Sequence, residues 1–223
     1  MASTTVEDYL KQVYLAEREG GGGPLVAMGV LASAVGVTPG TATTMVKSLA
    51  EAGLLNYEPR EGVKLTTAGA KLARGVLRRH RLVEQFLVEV LGYDWSEVHD
   101  EAEVLEHAVS EKLLERIDKL LGRPETDPHG DPIPKPTDGR RPERSKPVET
   151  LADCLIDQPL VVARVLDQSA EFLRFLERSG LTPGVGLEVT EREAEAEAVV
   201  VKVGRKRITL GTAAAAKVQV DSP

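Results

Sequence analysis

The sequence has one cysteine, no long apolar run and no excess of positive charge, and the first two of these shortages each exclude a class of protein. Cys154 alone cannot form an internal disulfide framework or a cysteine-rich zinc site, which fits a reducing cytoplasm. No run of 18 or more apolar residues is present, and no basic segment followed by an apolar one opens the chain. We therefore expect a soluble, non-secreted, cytoplasmic protein with no membrane partner.

The net charge of −7 does not suggest a protein that binds nucleic acid, but the charge is unevenly distributed. Residues 1–75 carry seven basic and seven acidic groups, whereas residues 76–121 carry six and eleven. Cations bound in the second segment would reduce its acidic excess. The overall acidity is therefore only a weak argument against DNA binding.

The densest group of reactive side chains is the segment H-D-E-A-E-V-L-E-H at residues 99–107, which holds two of the four histidines. On a helix, Glu103, Glu106 and His107 have the spacing i, i+3 and i+4, and so project from one face. Two carboxylates and an imidazole this close together favour a divalent cation between them. The alternative is a solvated acidic helix face, which is common in an acidic chain.

Residues 1–72 have the pattern of a winged helix-turn-helix domain. Thr4 opens a capping-box motif for a first helix, which the glycine-rich segment 20–24 ends. A short helix follows, and Thr38 caps the second helix of the motif. The runs L-L-N-Y-E and V-K-L-T then flank a turn that contains Gly62, which predicts a two-stranded wing.

The second helix of such a motif enters the major groove of DNA. Short hydroxyl side chains donate to phosphates and contact thymine methyl groups, so specificity would depend partly on DNA shape and dimer spacing. The alternatives are that the threonines only cap and pack, or that the domain contacts protein. The residues expected at DNA are Thr38, Pro39, Gly40, Thr41, Thr43, Thr44, Lys47, Arg60 and Lys64.

Residues 73–140 have the pattern of a helical domain. A long helix starts at a Thr67 cap and ends before Gly92, and a helix from about Ser96 carries the acidic cluster. The amphipathic helix from Ser110 to Leu121 has more apolar surface than its size needs, which suggests a homodimer.

The C-terminal part differs from the helical domain in its pattern. Residues 141–150 are predicted to form a linker, and residues 151–223 contain short β runs interrupted by one helix, near 169–179. A small β-barrel is the natural interpretation. No nucleophile motif or phosphate-binding loop is present, so we expect no enzyme activity. A metal-dependent enzyme is the alternative, but a winged helix would contribute little to the catalysis of such an enzyme.

These segments together resemble the diphtheria toxin repressor family, the iron- and manganese-dependent transcriptional regulators of bacteria. The resemblance rests on five segments: VEDYLKQVY at 6–14, VTPGTATTMVKSLAEAGLL at 37–55, RRHRLVEQFL at 78–87, VHDEAEVLEHAVS at 98–110 and DPHGDPIP at 127–134. The C-terminal β region resembles the SH3-like domain of longer members. The resemblance implies a winged helix-turn-helix domain, a helical metal-binding and dimerisation domain, and an SH3-like domain.

The resemblance also implies two metal sites. The first uses Asp8, Glu103, Glu106 and His107. The second uses His80, Glu84 and His99, completed from the SH3-like domain by Gln168 and Glu171, whose amide and acid stand in the opposite order from the family's pair. From the sequence alone, the i, i+4 pair His80 and Glu84 is a weak signal, and His129 is assigned to a loop rather than to a metal shell.

The resemblance bears on the choice of metal. Iron-type members have methionine and cysteine where this chain has Asp8 and Glu103, and manganese-type members have carboxylates at both positions. Loss of the soft donors favours Mn²⁺, with Fe²⁺ as the second choice. Lys11 stands where the short manganese regulators have a glutamate ligand, so we do not expect their binuclear arrangement.

The sequence thus predicts a homodimeric, metal-dependent regulator that binds double-stranded operator DNA, and the family implies repression of metal-uptake genes. In this hypothesis the metal ties the DNA-binding domain to the dimerisation domain. The alternative is a metal-binding or metal-dependent enzymatic protein in which the winged helix serves assembly.

Overall fold

The computed structural model describes residues 3–19, 25–135 and 149–223. The glycine-rich segment 20–24 and residues 141–148 of the predicted linker lie outside the described residues. The chain forms two compact units. The first contains the described residues of Met1–His80, Glu106–Val109 and Pro134–Gly139, and the second contains those of Arg81–Leu105, Ser110–Ile133 and Arg140–Pro223.

The first unit contains the winged helix-turn-helix that the sequence predicts. Its elements are α1 (Thr4–Glu19), α2 (Met28–Ala34), α3 (Pro39–Glu51), β1 (Leu55–Glu58), β2 (Gly62–Leu65) and the first part of α4 (Thr67–Leu91). Its core is an apolar cluster built around the fully buried Leu10, Leu31 and Val46. The three helices and the wing therefore form one packed body.

Caps define where these helices begin. The hydroxyl oxygen of Thr38 accepts a hydrogen bond from the amide of Thr41 at 3.3 Å, as predicted for the second helix of the motif. The first and fourth helices begin one residue before the sequence placed them. Ser3 and Thr66, rather than Thr4 and Thr67, stand in front of the first turn and accept from the amides of residues 6 and 69. In each case the capping residue is the one just before the helix, because its backbone does not have helical dihedral angles.

The wing is a two-stranded antiparallel ribbon in which Leu55 pairs with Leu65 and Glu58 with Gly62. Gly62 has φ of +147°, and a Cβ there would lie 2.5 Å from the carbonyl oxygen of Val26. That carbonyl accepts the amide of Val63 at 2.9 Å. Glycine at this position therefore allows the chain before α2 to pair with the wing.

The second unit contains the rest of α4, two further helices and a C-terminal sheet. The helices are α5 (Val98–Leu105) and α6 (Glu111–Leu120), and Ser110 caps α6. Leu114 and Ile117 of α6 are buried, whereas Leu113 and Leu120 are exposed. The chain itself thus covers two of these four apolar side chains and leaves the other two exposed.

The C-terminal sheet has six antiparallel strands in the order β3-β8-β4-β5-β6-β7. Its elements are β3 (Glu149–Thr150), β4 (Pro159–Val165), α7 (Ala170–Ser179), β5 (Gly186–Glu193), β6 (Ala198–Val203), β7 (Lys206–Gly211), α8 (Thr212–Ala215) and β8 (Val218–Asp221). The acidic segment 191–198 forms the hairpin between β5 and β6. Among the described residues, no helix is both long and apolar enough to cross a bilayer.

Cys154 is buried in the core of this sheet, with its thiol 3.9 Å from the carbonyl oxygen of Leu151. Burial raises the pKa of the thiol above its ordinary value, and the nearby Arg192 partly opposes that shift. Cys154 is therefore a small buried core residue.

Candidate metal centres and nucleic-acid surface

The first candidate metal centre lies in the first unit, where Asp8 of α1 meets the turn after α5. The side chains of Asp8, Glu106 and His107 each offer one ligand atom, and the three atoms lie within 4.8 Å of one another. The Nε2 atom of His107 is 3.0 Å from Asp8 Oδ1 and 3.3 Å from Glu106 Oε1. Two carboxylate oxygens and one imidazole nitrogen form a donor set that suits Mn²⁺ or Fe²⁺.

Glu7 fixes the orientation of the His107 ring. Its Oε2 is 2.7 Å from His107 Nδ1, and its Oε1 accepts from Arg79 at 3.0 Å. A neutral ring that donates from Nδ1 to a carboxylate presents the lone pair of Nε2 on its other side. That side faces the oxygens of Asp8 and Glu106, so the local hydrogen bonds prepare His107 as a ligand.

Glu106 is completely buried and surrounded by donors. Lys11 Nζ lies 2.8 Å from Oε1 and 3.0 Å from Oε2, and His80 Nδ1 lies 2.7 Å from Oε2. Arg79 Nε also donates to the backbone carbonyl of Glu106 at 2.8 Å. The carboxylate position is therefore defined by contacts from two helices.

The expectation that Glu103, Glu106 and His107 share one helix face is wrong. Helix α5 ends at Leu105, so Glu106 and His107 lie in the following turn and the i, i+3, i+4 geometry does not apply. Glu103 belongs to the second unit, where its Oε1 is 3.6 Å from His99 Nε2. The structure thus brings together three of the four residues expected in the first site.

A second cluster lies in the second unit and includes two residues that the sequence analysis did not assign to a metal. Glu84, Asp127 and His129 are all buried, and one ligand atom from each lies within 4.8 Å of the other two. His129 Nδ1 is 4.0 Å from Glu84 Oε2 and 4.0 Å from Asp127 Oδ1. His99 Nδ1 also approaches Glu84, at 3.3 Å from Oε1.

The His129 ring is held by its other nitrogen. Nε2 lies 2.8 Å from the carbonyl oxygen of Trp95, and the two rings stack with centroids 5.7 Å apart. In the part of the chain that the structure describes, the buried Nδ1 atom has no hydrogen-bond partner. One imidazole nitrogen and two carboxylate oxygens again form a donor set that suits a divalent cation.

Electrostatics in this cluster also favour a cation. Burial raises the pKa of Asp127 well above its ordinary value, and the negative charges of Glu84 and Asp131 raise it further, against the opposing effect of Arg81. Asp127 Oδ1 accepts from the amides of His129 and Asp131, both at 2.9 Å, so the loop itself holds the carboxylate.

Close backbone packing fixes this loop against strand β4. A Cβ at Gly130 would lie 2.0 Å from the carbonyl oxygen of Ala163, and the amide of Val165 donates to the carbonyl of His129 at 2.9 Å. Asp131 pairs with Arg81 and Arg164, and it accepts from Gln168 Nε2 at 2.7 Å. Gln168 therefore contacts the loop next to the cluster, whereas Glu171 is exposed on α7.

His80, the remaining residue expected in the second site, lies in the first unit with its Nδ1 on Glu106. The sequence signal for the extra ligands was the D-P-H-G motif at 127–130, which pairs a carboxylate and an imidazole two residues apart. Only long-range contacts place that motif against Glu84.

The residues expected at DNA lie on an exposed surface of α3 and the wing. Thr43 is half-buried, and the exposed members are Thr38, Pro39, Gly40, Thr41, Thr44, Lys47, Arg60 and Lys64. The hydroxyls of Thr43 and Thr44 donate to the carbonyls of Pro39 and Gly40 at 2.7 and 3.1 Å. These two hydroxyls would have to leave the helix backbone before they could donate to phosphates.

Comparison with known proteins identifies three domains in the chain. Residues 1–63 match the iron dependent repressor N-terminal DNA binding domain, and residues 66–135 match the iron dependent repressor metal binding and dimerisation domain. Residues 149–222 match the FeoA domain. The three matches follow the order of domains that the sequence predicts.

Relatives span both metal types. The chain is 32% identical to the iron-dependent repressor IdeR of Mycobacterium leprae over 97% of this chain and 96% of the relative. It is 36% identical to the diphtheria toxin repressor of Corynebacterium jeikeium over 58% of this chain and 53% of the relative. A solved manganese-dependent transcriptional repressor in complex with manganese is 39% identical, with a TM-score of 0.82 and coverage of 98% of this chain and 100% of that one. The chain therefore belongs to the diphtheria toxin repressor family of metal-dependent, DNA-binding transcriptional repressors.

Proposed function

We propose that Mn²⁺, with Fe²⁺ as the second choice, is the ion that activates this repressor, and that it binds between Asp8, Glu106 and His107. The observation that carries the proposal is the orientation of His107. Glu7 holds one ring nitrogen, and the other faces two carboxylate oxygens at 3.0 and 3.3 Å. All ligands are oxygen or imidazole nitrogen, which favours Mn²⁺ over softer ions, although intrinsic affinity still rises from Mn²⁺ to Fe²⁺.

In this proposal, metal binding is coupled to DNA binding because the three ligands come from two different domains. Asp8 lies on α1 of the DNA-binding domain, and Glu106 and His107 follow α5 of the metal-binding domain. An ion bound to all three holds α1 in place, and in a homodimer this sets the separation of the two α3 helices. A coupling of about 1–3 kcal/mol would change operator affinity roughly 5- to 150-fold. By analogy with the family, we propose that the regulated genes serve metal uptake.

We further propose that Glu84, Asp127 and His129 hold a second divalent ion. His99 lies beside this site, since its Nδ1 is 3.3 Å from Glu84 Oε1. The unpaired, buried Nδ1 of His129 supports this site. In this proposal the second ion has a structural role, because the loop that carries Asp127 and His129 is hydrogen-bonded to β4. Glu103, His80, Gln168 and Glu171 remain predicted ligands.

The test combines DNA binding with metal stoichiometry. In a gel-retardation assay on DNA from upstream of its own gene, wild type should bind only with Mn²⁺ or Fe²⁺, and Asp8→Ala should lose that response. Asp221→Ala, an exposed aspartate of the C-terminal sheet, is the matched control and should behave as wild type. By calorimetry, Asp8→Ala and His129→Ala should each remove a different one of two metal sites.

Two results would contradict these proposals. Equal, metal-independent DNA affinity for wild type and Asp8→Ala would refute the coupling. Unchanged stoichiometry in His129→Ala would refute the second site. The alternative of a metal-dependent enzyme, in which the winged helix serves assembly, predicts no DNA retardation under any metal condition. We propose that the protein acts as a regulator by binding metal and DNA and that it is not an enzyme.

A further inference from the structure

Lys11 is a buried lysine beside the first metal centre. It lies three residues after Asp8 on α1, so both side chains project from the same face of the helix. Its side chain is 3% exposed, and its Nζ atom lies 2.8 and 3.0 Å from the two oxygens of Glu106. Lysine is almost never fully buried without a partner, and here the partner is a proposed metal ligand.

The contacts of Glu106 leave little room for an added cation. The ammonium of Lys11 touches both oxygens, and His80 Nδ1 lies 2.7 Å from Oε2. A divalent ion that takes Glu106 Oε1 must share this oxygen with the ammonium or displace it. Around the site, the side chains of Glu7, Asp8 and Glu106 are acidic and those of Lys11 and Arg79 are basic, so Lys11 neutralises a large part of the charge that attracts metal.

We infer that Lys11 is a built-in competitor of the metal, which sets the concentration of divalent ion at which the repressor responds. In the metal-free protein, its ammonium occupies Glu106 and stabilises the buried carboxylate. When the ion binds, the same positive charge repels it at close range in a buried site, where screening is weak. The inference rests on the proposed function of Asp8, Glu106 and His107 as ligands.

The opposite role would be that of a positioning group. If Lys11 mainly oriented the Glu106 carboxylate toward the ion, replacing Lys11 would weaken metal binding, because the carboxylate could then adopt other orientations. A competitor and a positioning group thus predict changes of opposite sign. The sign of the change in affinity decides between them.

The experiment measures Mn²⁺ affinity of the full chain by competition with a fluorescent chelator. We expect Lys11→Met to bind Mn²⁺ at least tenfold more tightly than wild type. Lys11→Gln removes the charge but keeps a hydrogen-bond donor for Glu106, and it should also bind more tightly. Lys71→Met makes the same change at an exposed lysine of α4 and should match wild type.

Thermal unfolding gives an independent readout. Without metal, Lys11→Met should unfold about 6–12 °C below wild type, because Glu106 loses a buried partner. Saturating Mn²⁺ should close most of that gap, since the ion replaces the ammonium at Glu106. If Lys11→Met does not fold, Lys11→Gln carries the same test.

An affinity in both Lys11 variants that is equal to or weaker than that of wild type would overturn the inference. Asp8→Ala, measured in the same assay, separates this failure from a failure of the proposed function. If Asp8→Ala binds Mn²⁺ as tightly as wild type, the metal centre itself is wrong and the inference falls with it. If Asp8→Ala loses binding but neither Lys11 variant tightens it, only the role of Lys11 is wrong.

Discussion

Glu7 offers the sharpest test of how the first metal centre is built. It does not belong to the proposed ligand set, yet it lies between His107 Nδ1 at 2.7 Å and Arg79 Nη2 at 3.0 Å. Arg79 also donates to the backbone carbonyl of Glu106. Glu7 therefore links the imidazole of one ligand to the backbone of another, and we expect its loss to loosen both.

Loss of a carboxylate that orients a ligating histidine typically weakens metal binding 10- to 100-fold, or about 1.4–2.7 kcal/mol. We predict a loss in this range for Glu7→Ala. For Glu7→Gln we predict a smaller loss, because an amide oxygen still accepts from Nδ1 but carries no charge. The matched control is Glu51→Ala, at an exposed glutamate of α3, which should bind metal as wild type does.

The assay is competition between protein and chelator for Mn²⁺, together with thermal unfolding in the absence of metal. With 16% of its side chain exposed, Glu7 is half-buried, so the metal-free protein should lose less stability than it would from loss of a fully buried ion pair. Unchanged Mn²⁺ affinity in Glu7→Ala would refute the argument that Glu7 prepares His107. A large loss of metal-free stability would show that Glu7 acts through folding instead.

Three further predictions follow from the fold. Leu120→Asp places a charge on the exposed half of the α6 stripe and should convert a dimer to a monomer in light scattering, whereas a wild type that is already monomeric would contradict the proposed dimer surface. Gly62→Ala should destabilise the wing by at least about 1 kcal/mol in denaturant unfolding, because the new methyl group meets the Val26 carbonyl, and an unchanged midpoint would show that the wing can shift. The Lys217 ammonium and the Ser169 amide lower the pKa of Asp167 to about 2, so Asp167 stabilises the fold above its ordinary pKa. Asp167→Asn should therefore be less stable than wild type near pH 6, the difference should shrink as pH falls from 4 toward 2, and a difference independent of pH would contradict this assignment.

Local signals in the sequence were sufficient for the DNA-binding domain. Thr38, followed by Pro39, starts α3 correctly, and the turn near Gly62 separates two strands as expected. Such features depend on neighbours within a few residues, so the sequence carries them directly. The caps at Thr4 and Thr67 were each misplaced by one residue, because adjacent hydroxyl residues compete for the same role.

The candidate metal centres depend on contacts that the local sequence pattern does not show. The helix predicted over the acidic segment 99–107 ends at Leu105, so Glu103 and Glu106 belong to different units. His129 lies in a loop, as the sequence predicts. Its place beside Glu84 depends on Gly130 packing against β4, which pairs distant parts of the chain. The sequence predicts one helix in the C-terminal domain, and α8 has only four residues, too few to show a helical pattern.

The central claim is that one divalent ion joins α1 to the turn after α5. Anomalous scattering at the manganese edge, from crystals grown with Mn²⁺, tests it most directly. We predict a peak at a coordination distance of roughly 2.0–2.3 Å from Asp8, Glu106 and His107 Nε2. Manganese bound elsewhere, with Asp8 turned to solvent, would contradict the account.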